Sequence, residues 1–180
     1  IHLGAPSSPV AYYQQVGRAG RATDRADVLL LPGSEDRDIW SYFATASMPT
    51  QERADGVLEA LAGGQVLSIP ALETRVNMRR SQLGLLLKIM AVDGSVTKVR
   101  DGWQATGKPW VLDTERYERI YLSRLGEQQA MLDYEHSQTC RMTFLTKQLD
   151  DPSTTPCGRC DVCAGQWYPT SVNRSAYETA

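Results

Sequence analysis

The sequence predicts a mainly α-helical protein with a small β contribution. Three observations point there. Apolar residues recur at helical spacing through most of the chain beyond residue 50. Strand-like runs are few and short: Ile1-His2-Leu3, Val28 to Leu31, and an alternating pair around Asp101-Gly102. All four cysteines of the 180-residue chain lie at or after position 140. Hydrophobic residues make up 42% and charged residues 22%, which excludes a disordered chain and a coiled-coil rod.

Residues 1–33 have α/β character. Ile1 to Leu3 opens as a strand, and Pro6-Ser7-Ser8-Pro9 is a loop. Val28 to Leu31 is a continuous apolar run ended by Pro32-Gly33, the pattern of a strand buried on both faces. The segment is too short for a domain of its own and reads as the remnant of a larger sheet domain. Residues 34–49 are acidic and then small-residue rich, a connecting helix and linker.

Residues 50–109 read as one unit. Thr50 caps a helix reaching Leu61, with Val57, Leu58 and Leu61 on its inner face and Gly63-Gly64 as its stop. Ser68-Ile69-Pro70 starts a short helix through Val76. Asn77 caps a third from Met78 to Val92, with Leu83, Leu86, Leu87 and Met90 on one side; Met78 and Met90 read as core filling. Ser95 to Arg100 alternates, Asp101-Gly102 is a hairpin signal, and Trp103 to Thr106 returns. Three helices followed by a hairpin is the order of a winged-helix domain. Residues 110–166 read as a helical hairpin and a cysteine loop. The first helix is capped by Asp113 or Thr114, carries Tyr117, Ile120, Tyr121, Leu125, Met131 and Leu132, and is broken at Gly126. The second runs from Cys140 to Leu149. Glu115, Glu118 and Arg119 form a solvated face. Residues 167–180 are a polar tail, in which Trp167-Tyr168-Pro169 either packs on the cysteine module or leads elsewhere.

The 19 Lys and Arg against 21 Asp and Glu give a net charge of −2, which excludes a wholly basic nucleic-acid coat but not a local basic face. No run reaches the roughly 18 apolar residues of a membrane span, and no basic segment precedes a long apolar one as in a secretory signal. A reducing, cytoplasmic setting follows, and there C-x-x-C groups read first as metal ligands.

Cys157-Gly158-Arg159-Cys160-Asp161-Val162-Cys163 is a C-x-x-C-x-x-C run, and Cys140 lies one helix and a loop upstream. Four thiolates suit a closed, tetrahedral, structural zinc site. An iron–sulfur cluster competes on the same ligands. His136 sits one helical turn before Cys140 and reads as a surface residue, because four cysteines already fill the sphere.

A second motif is Tyr12-Tyr13-Gln14-Gln15-Val16-Gly17-Arg18-Ala19-Gly20-Arg21. Two guanidinium groups three residues apart among glycines can meet a phosphate chain, and one reaching a γ-phosphate neutralises charge developing during hydrolysis. Gln14 can position a water. Read as spacing alone, the motif is equally a basic turn paired with Asp24 and Asp27.

These residues resemble a family. Q-x-x-G-R-A-G-R is similar to the last motif of superfamily-two helicases, and Tyr12-Tyr13-Gln14 ahead of it resembles the RecQ version. Cys140-Arg141, a hydrophobic helix, the acidic turn Asp150-Asp151 and Cys157-Gly-x-Cys160-Asp-x-Cys163 resemble the RecQ zinc-binding module. The resemblance covers residues 1–32 and 110–164. It implies that residues 1–33 end a second RecA-like motor domain, that Arg18 and Arg21 contact ATP phosphates, and that Gln14 couples nucleotide state to domain closure. It further implies an ATP-dependent 3′-to-5′ DNA helicase acting in repair or recombination, with ATP and Mg bound mainly outside this chain and zinc held by Cys140, Cys157, Cys160 and Cys163. Its place would be cytoplasmic, at the nucleoid in a bacterium. The chain has no G-x-x-x-x-G-K-[ST] loop, so by itself it is expected not to hydrolyse ATP; Ile1 in place of Met reads as a cut within the motor domain. One departure is clear. In typical RecQ proteins the winged helix follows the zinc module, whereas here the winged-helix-like unit precedes it.

From Leu72 to Lys108 seven basic residues face three acidic ones, a local balance of +4. Arg75, Arg79, Arg80, Lys98, Arg100 and Trp103 are the expected DNA contacts, with Arg79 and Arg80 at the start of a recognition helix and Lys98, Arg100 and Trp103 on the hairpin. The partner would be a single-strand/duplex junction. Trp103 either stacks on a terminal base pair or folds into the core. The opposing class is a non-enzymatic winged-helix DNA-binding regulator with a structural zinc site.

Overall fold

A computed structural model describes residues 1–20, 22, 24–152, 155–166 and 168–169. The elements run β1 (His2–Leu3), α1 (Pro9–Val16), β2 (Leu30–Leu31), α2 (Asp36–Ala46), α3 (Gln51–Ala60), α4 (Ile69–Glu73), α5 (Arg80–Val92), β3 (Val96–Val99), β4 (Gly102–Ala105), α6 (Thr114–His136), α7 (Arg141–Lys147) and α8 (Asp161–Ala164). The protein is mainly α with a small β content. Among the described residues no helix is long and apolar enough to cross a membrane. The chain divides into two compact units: Ile1–Trp40 with Ser123–Ala180, and Ser41–Leu122.

In the first unit β1 and β2 pair in parallel, His2 against Leu30 and Leu3 against Leu31. The run from Val28 to Leu31 is therefore not a strand buried on both faces. Only its last two residues pair, and Leu3 and Leu31 remain 83% and 44% exposed. Helix α1 starts where Ser8 accepts a hydrogen bond from Ala11 N (3.1 Å) and Pro9 supplies a ready-made helical φ. Ala5, Tyr12, Trp40, Met131, Tyr134 and Leu145 form the core. Buried Asp36 accepts from Ala5 N (2.7 Å) and Gly33 N (2.8 Å), and Trp40 Nε1 donates to Ala5 O (2.9 Å). These bonds satisfy backbone groups that the short sheet leaves unpaired. Helix α6 runs without interruption through Gly126. A lone helical glycine costs about 1 kcal/mol against Ala but keeps its N–H and C=O in the ladder, so the expected break does not occur.

The second unit is built on Val57, Leu61, Leu72, Leu83, Leu86, Leu87, Met90, Val96, Trp103 and Trp110. Thr50 caps α3 and Ser68 caps α4, accepting from Arg53 N (3.3 Å) and Ala71 N (3.4 Å). Helix α4 stops at Glu73, and α5 starts at Arg80 with Arg79 in the cap position, not at Met78 with Asn77. Trp110 closes the unit, donating from Nε1 to Asp93 (2.8 Å), while Gln51 bonds Trp110 O and Leu112 N at 2.9 Å each.

Strands β3 and β4 pair antiparallel, with Val99 opposite Gly102. The turn is therefore Arg100-Asp101, and neither residue has a positive φ. The Asp-Gly signal was legible, but its glycine answers a different need. Leu67 and Trp103 exchange two backbone hydrogen bonds (3.0 and 2.9 Å), which brings Leu67 against β4. A Cβ on Gly102 would sit 2.4 Å from Leu67 O.

Candidate metal centre

The four cysteines arrive from three pieces of chain. Cys140 caps α7, Cys157 lies in the loop after it, Cys160 caps α8, and Cys163 sits within α8. All four are free thiols, and their sulfurs lie within 4.8 Å of one another. A shared zinc ion needs sulfurs at about 2.3 Å from it in a tetrahedron, a spacing this cluster meets with small side-chain adjustments. Gly158, at φ +70°, takes the left-handed conformation that lets the chain turn sharply between Cys157 and Cys160.

Backbone donors surround the sulfurs, as the outer shell of a thiolate site requires. Cys157 N donates to Cys140 Sγ at 3.2 Å. Burial opposes ionisation of Cys140, but the Thr143 hydroxyl and the Cys157 and Thr143 amides outweigh it and bring the thiol down to about 5. Burial also opposes ionisation of Cys160, and the Arg141 and Cys163 amides overcome it, so this thiol too is lowered. At Cys163 the Gly158 amide favours the thiolate. The neighbouring Cys160 and Cys140 sulfurs win, and the thiol is pushed up to about 12. Four adjacent thiolates repel one another, and a divalent cation removes that repulsion and displaces the remaining protons.

One ion pair closes the loop. Arg141 Nε lies 3.0 and 3.2 Å from the two Asp161 oxygens, and Nη2 lies 2.8 Å from Oδ2, a bidentate fork. Nη1 donates to Tyr134 O at 2.7 Å, and the guanidinium lies over the Tyr134 ring, 5.5 Å from its centroid. The pair holds the Asp161 carboxyl below its ordinary value and raises Arg141. The sequence reading did not single out this clamp. Its signal was the placing of Arg141 directly after the first cysteine and Asp161 directly after the third.

Residues 113–164 match the RecQ zinc-binding family. The match spans α6 to α8 and contains all four cysteines, the Arg141–Asp161 clamp and the helical hairpin that carries them. This part of the chain is similar to the RecQ zinc-binding module, and its four cysteines are placed to hold one zinc ion. A closed S₄ sphere leaves no position for water, so a metal held there would be structural. The match covers under a third of the chain. No curated protein and no solved structure matches it.

The other expected site residues fall in two places. Gln14 is exposed on the last turn of α1, and Arg18 is exposed just beyond it, where Arg18 N bonds Gln15 O (3.2 Å). Asp27 pairs with Arg25 at 3.0 Å. Arg21 lies outside the described residues, as does Trp167. In the second unit Arg79, Arg80, Lys98 and Arg100 are exposed, and among the described residues their side chains make no hydrogen bond or ion pair. Arg75 differs from them. Its guanidinium donates to Gln65 Oε1 (2.6 Å) and Ala60 O (3.3 Å) and ties α4 to the end of α3. Trp103 is 8% exposed and belongs to the core, so its ring is not presented for stacking on a base. The sequence left that choice open, and the Leu67 bridge decides it by drawing β4 inward.

Proposed function

We propose that this chain supplies the zinc-binding and DNA-contacting portion of a RecQ-like, ATP-dependent 3′-to-5′ DNA helicase acting in repair or recombination. The observation that carries the reading is the match of residues 113–164 to the RecQ zinc-binding family, together with four thiols gathered at one point. The Tyr12 to Arg21 motif supports it from a separate part of the chain. In this reading Arg18 and Arg21 approach ATP phosphates bound mainly by residues outside this chain, and Gln14 senses the nucleotide state. Mg²⁺ accompanies the ATP.

The Ser41–Leu122 unit is proposed as a winged helix that holds DNA. Its helix–helix–helix–hairpin order supports this, as does the arrangement of cations. Arg79 and Arg80 stand at the start of α5, and Lys98 and Arg100 stand on β3 and its turn. Four cationic side chains with no bond among the described residues are available to phosphates, and each phosphate contact adds a salt-sensitive increment to affinity. The proposed ligand is a junction of single-stranded and duplex DNA.

The test is binding to a junction oligonucleotide across a salt series. Replacing Arg79, Arg80, Lys98 and Arg100 together with Ala should lower the slope of log K against log salt by up to about 3 to 4, at unchanged circular dichroism. An unchanged slope places the DNA surface elsewhere.

A further inference from the structure

We infer that Arg141 is a positioning residue that passes the metal-loaded state of the cysteine cluster to α1, the helix that bears Gln14 and leads into Arg18. The consequence for ATP rests on the proposed helicase reading, but the mechanical link does not.

The link is a continuous series of contacts within one unit. At the metal end, the Arg141 guanidinium grips Asp161, the residue next to the ligand Cys160. At the other end, the same guanidinium holds Tyr134 twice, through its carbonyl and across its ring. Tyr134 then packs on Tyr12 of α1 with centroids 5.4 Å apart, and Phe144 of α7 backs it at 5.5 Å. Tyr12 is 3% exposed and meets His2 of β1 edge-on at 5.3 Å. Tyr12, with Pro9, thus seats α1, and Tyr134 is a surface on which Tyr12 sits.

Asp161 has a fixed place only when its loop does. No residue of α8 is buried, and small thiol-rich loops are ordered by their metal. Losing the metal frees Asp161, which releases one side of Arg141 and loosens the Tyr134 platform. Packed aromatic contacts respond to such shifts because a close-packed core offers few alternative arrangements. The outcome is a helix whose opening frequency depends on a metal bound to another part of the chain.

Peptide-resolved hydrogen exchange of the full chain, with zinc and after chelation, tests this. In the unsubstituted protein, chelation should raise exchange at the Tyr12 to Gly17 amides about tenfold, alongside residues 140–164. Arg141→Gln and Asp161→Asn leave all four thiols in place. Each should still bind one zinc, yet show the faster α1 exchange whether or not zinc is present. If α1 responds to zinc in these variants as it does without them, or does not respond in the unsubstituted protein, the inference is overturned. If both variants lose zinc, the clamp belongs to the metal site alone, which also overturns it. Should only Arg141→Gln lose zinc, Asp161→Asn decides the matter by the same criterion. Neither ATP nor DNA is involved, so failure here and failure of the helicase reading are separate results.

Discussion

Gly102→Ala is the substitution whose effect can be worked most directly from the fold. The added Cβ would lie 2.4 Å from Leu67 O, 2.5 Å from Leu67 C and 2.9 Å from Ser68 N. Carbon contacts are comfortable at about 3.5 Å, so the two backbones must part by about an ångström. Neither contact is with a flexible side-chain tip, and the hydrogen-bonded pair Leu67–Trp103 cannot survive that separation. Two buried backbone hydrogen bonds contribute about 1 kcal/mol each, and some of the Trp103 ring returns to water. The expected loss is about 2 to 3 kcal/mol, confined to the Ser41–Leu122 unit. Since the chain has two units, a single melting midpoint is a poor readout, and peptide-resolved hydrogen exchange is the better one. Protection at Leu67 and Trp103 should fall by about thirtyfold or more, which is what 2 kcal/mol amounts to. Gly63→Ala is the control: it has φ +70° but nothing within 4 Å of a new Cβ, so only the conformational cost of about 1 kcal/mol applies. Unchanged protection at Leu67 in Gly102→Ala would refute the reasoning.

Two further outcomes follow from the same structure. Trp103→Ala should destabilise its unit by about 3 to 5 kcal/mol in urea titrations followed by hydrogen exchange, because a buried ring is lost; reduced DNA binding at full stability would instead mean the ring is a surface contact. Glu135 has one buried carboxylate oxygen with no partner among the described residues, and burial, reinforced by Asp36, raises its pKa above 4.5. A raised carboxyl adds stability below the unfolded value and loses it as pH rises through the folded one. Glu135→Gln should therefore be more stable than Glu135 at pH 7, with the difference closing towards pH 4.5, and a difference independent of pH would contradict this.

What the sequence made legible was chemistry at fixed spacing. Cys140, Cys157, Cys160 and Cys163 were identifiable as one site because thiol ligands have few other reasons to recur so closely. The helices of the second unit were legible from Leu83, Leu86, Leu87 and Met90, whose helical spacing survives in α5. Long-range features were hidden. Nothing local announces that Leu67 reaches β4, so Gly102 was read as a turn residue when its role is close approach. Arg75 was read as a DNA contact because its charge shows in the sequence, while its bonds to Gln65 and Ala60 exist only once α3 and α4 meet. The Tyr12–Tyr134–Arg141 series joins residues more than a hundred positions apart, and no periodicity encodes it.

The central claim is that one structural zinc ion is held by four cysteines. Titration of the metal-free chain with Co²⁺, read by visible absorption, tests it most directly. The account predicts saturation at one equivalent with the intense bands of tetrahedral tetrathiolate coordination, displacement by zinc, and an altered spectrum in each of Cys140→Ser, Cys157→Ser, Cys160→Ser and Cys163→Ser. A brown protein carrying iron and sulfide, or a spectrum that any one of these substitutions leaves unchanged, would contradict it.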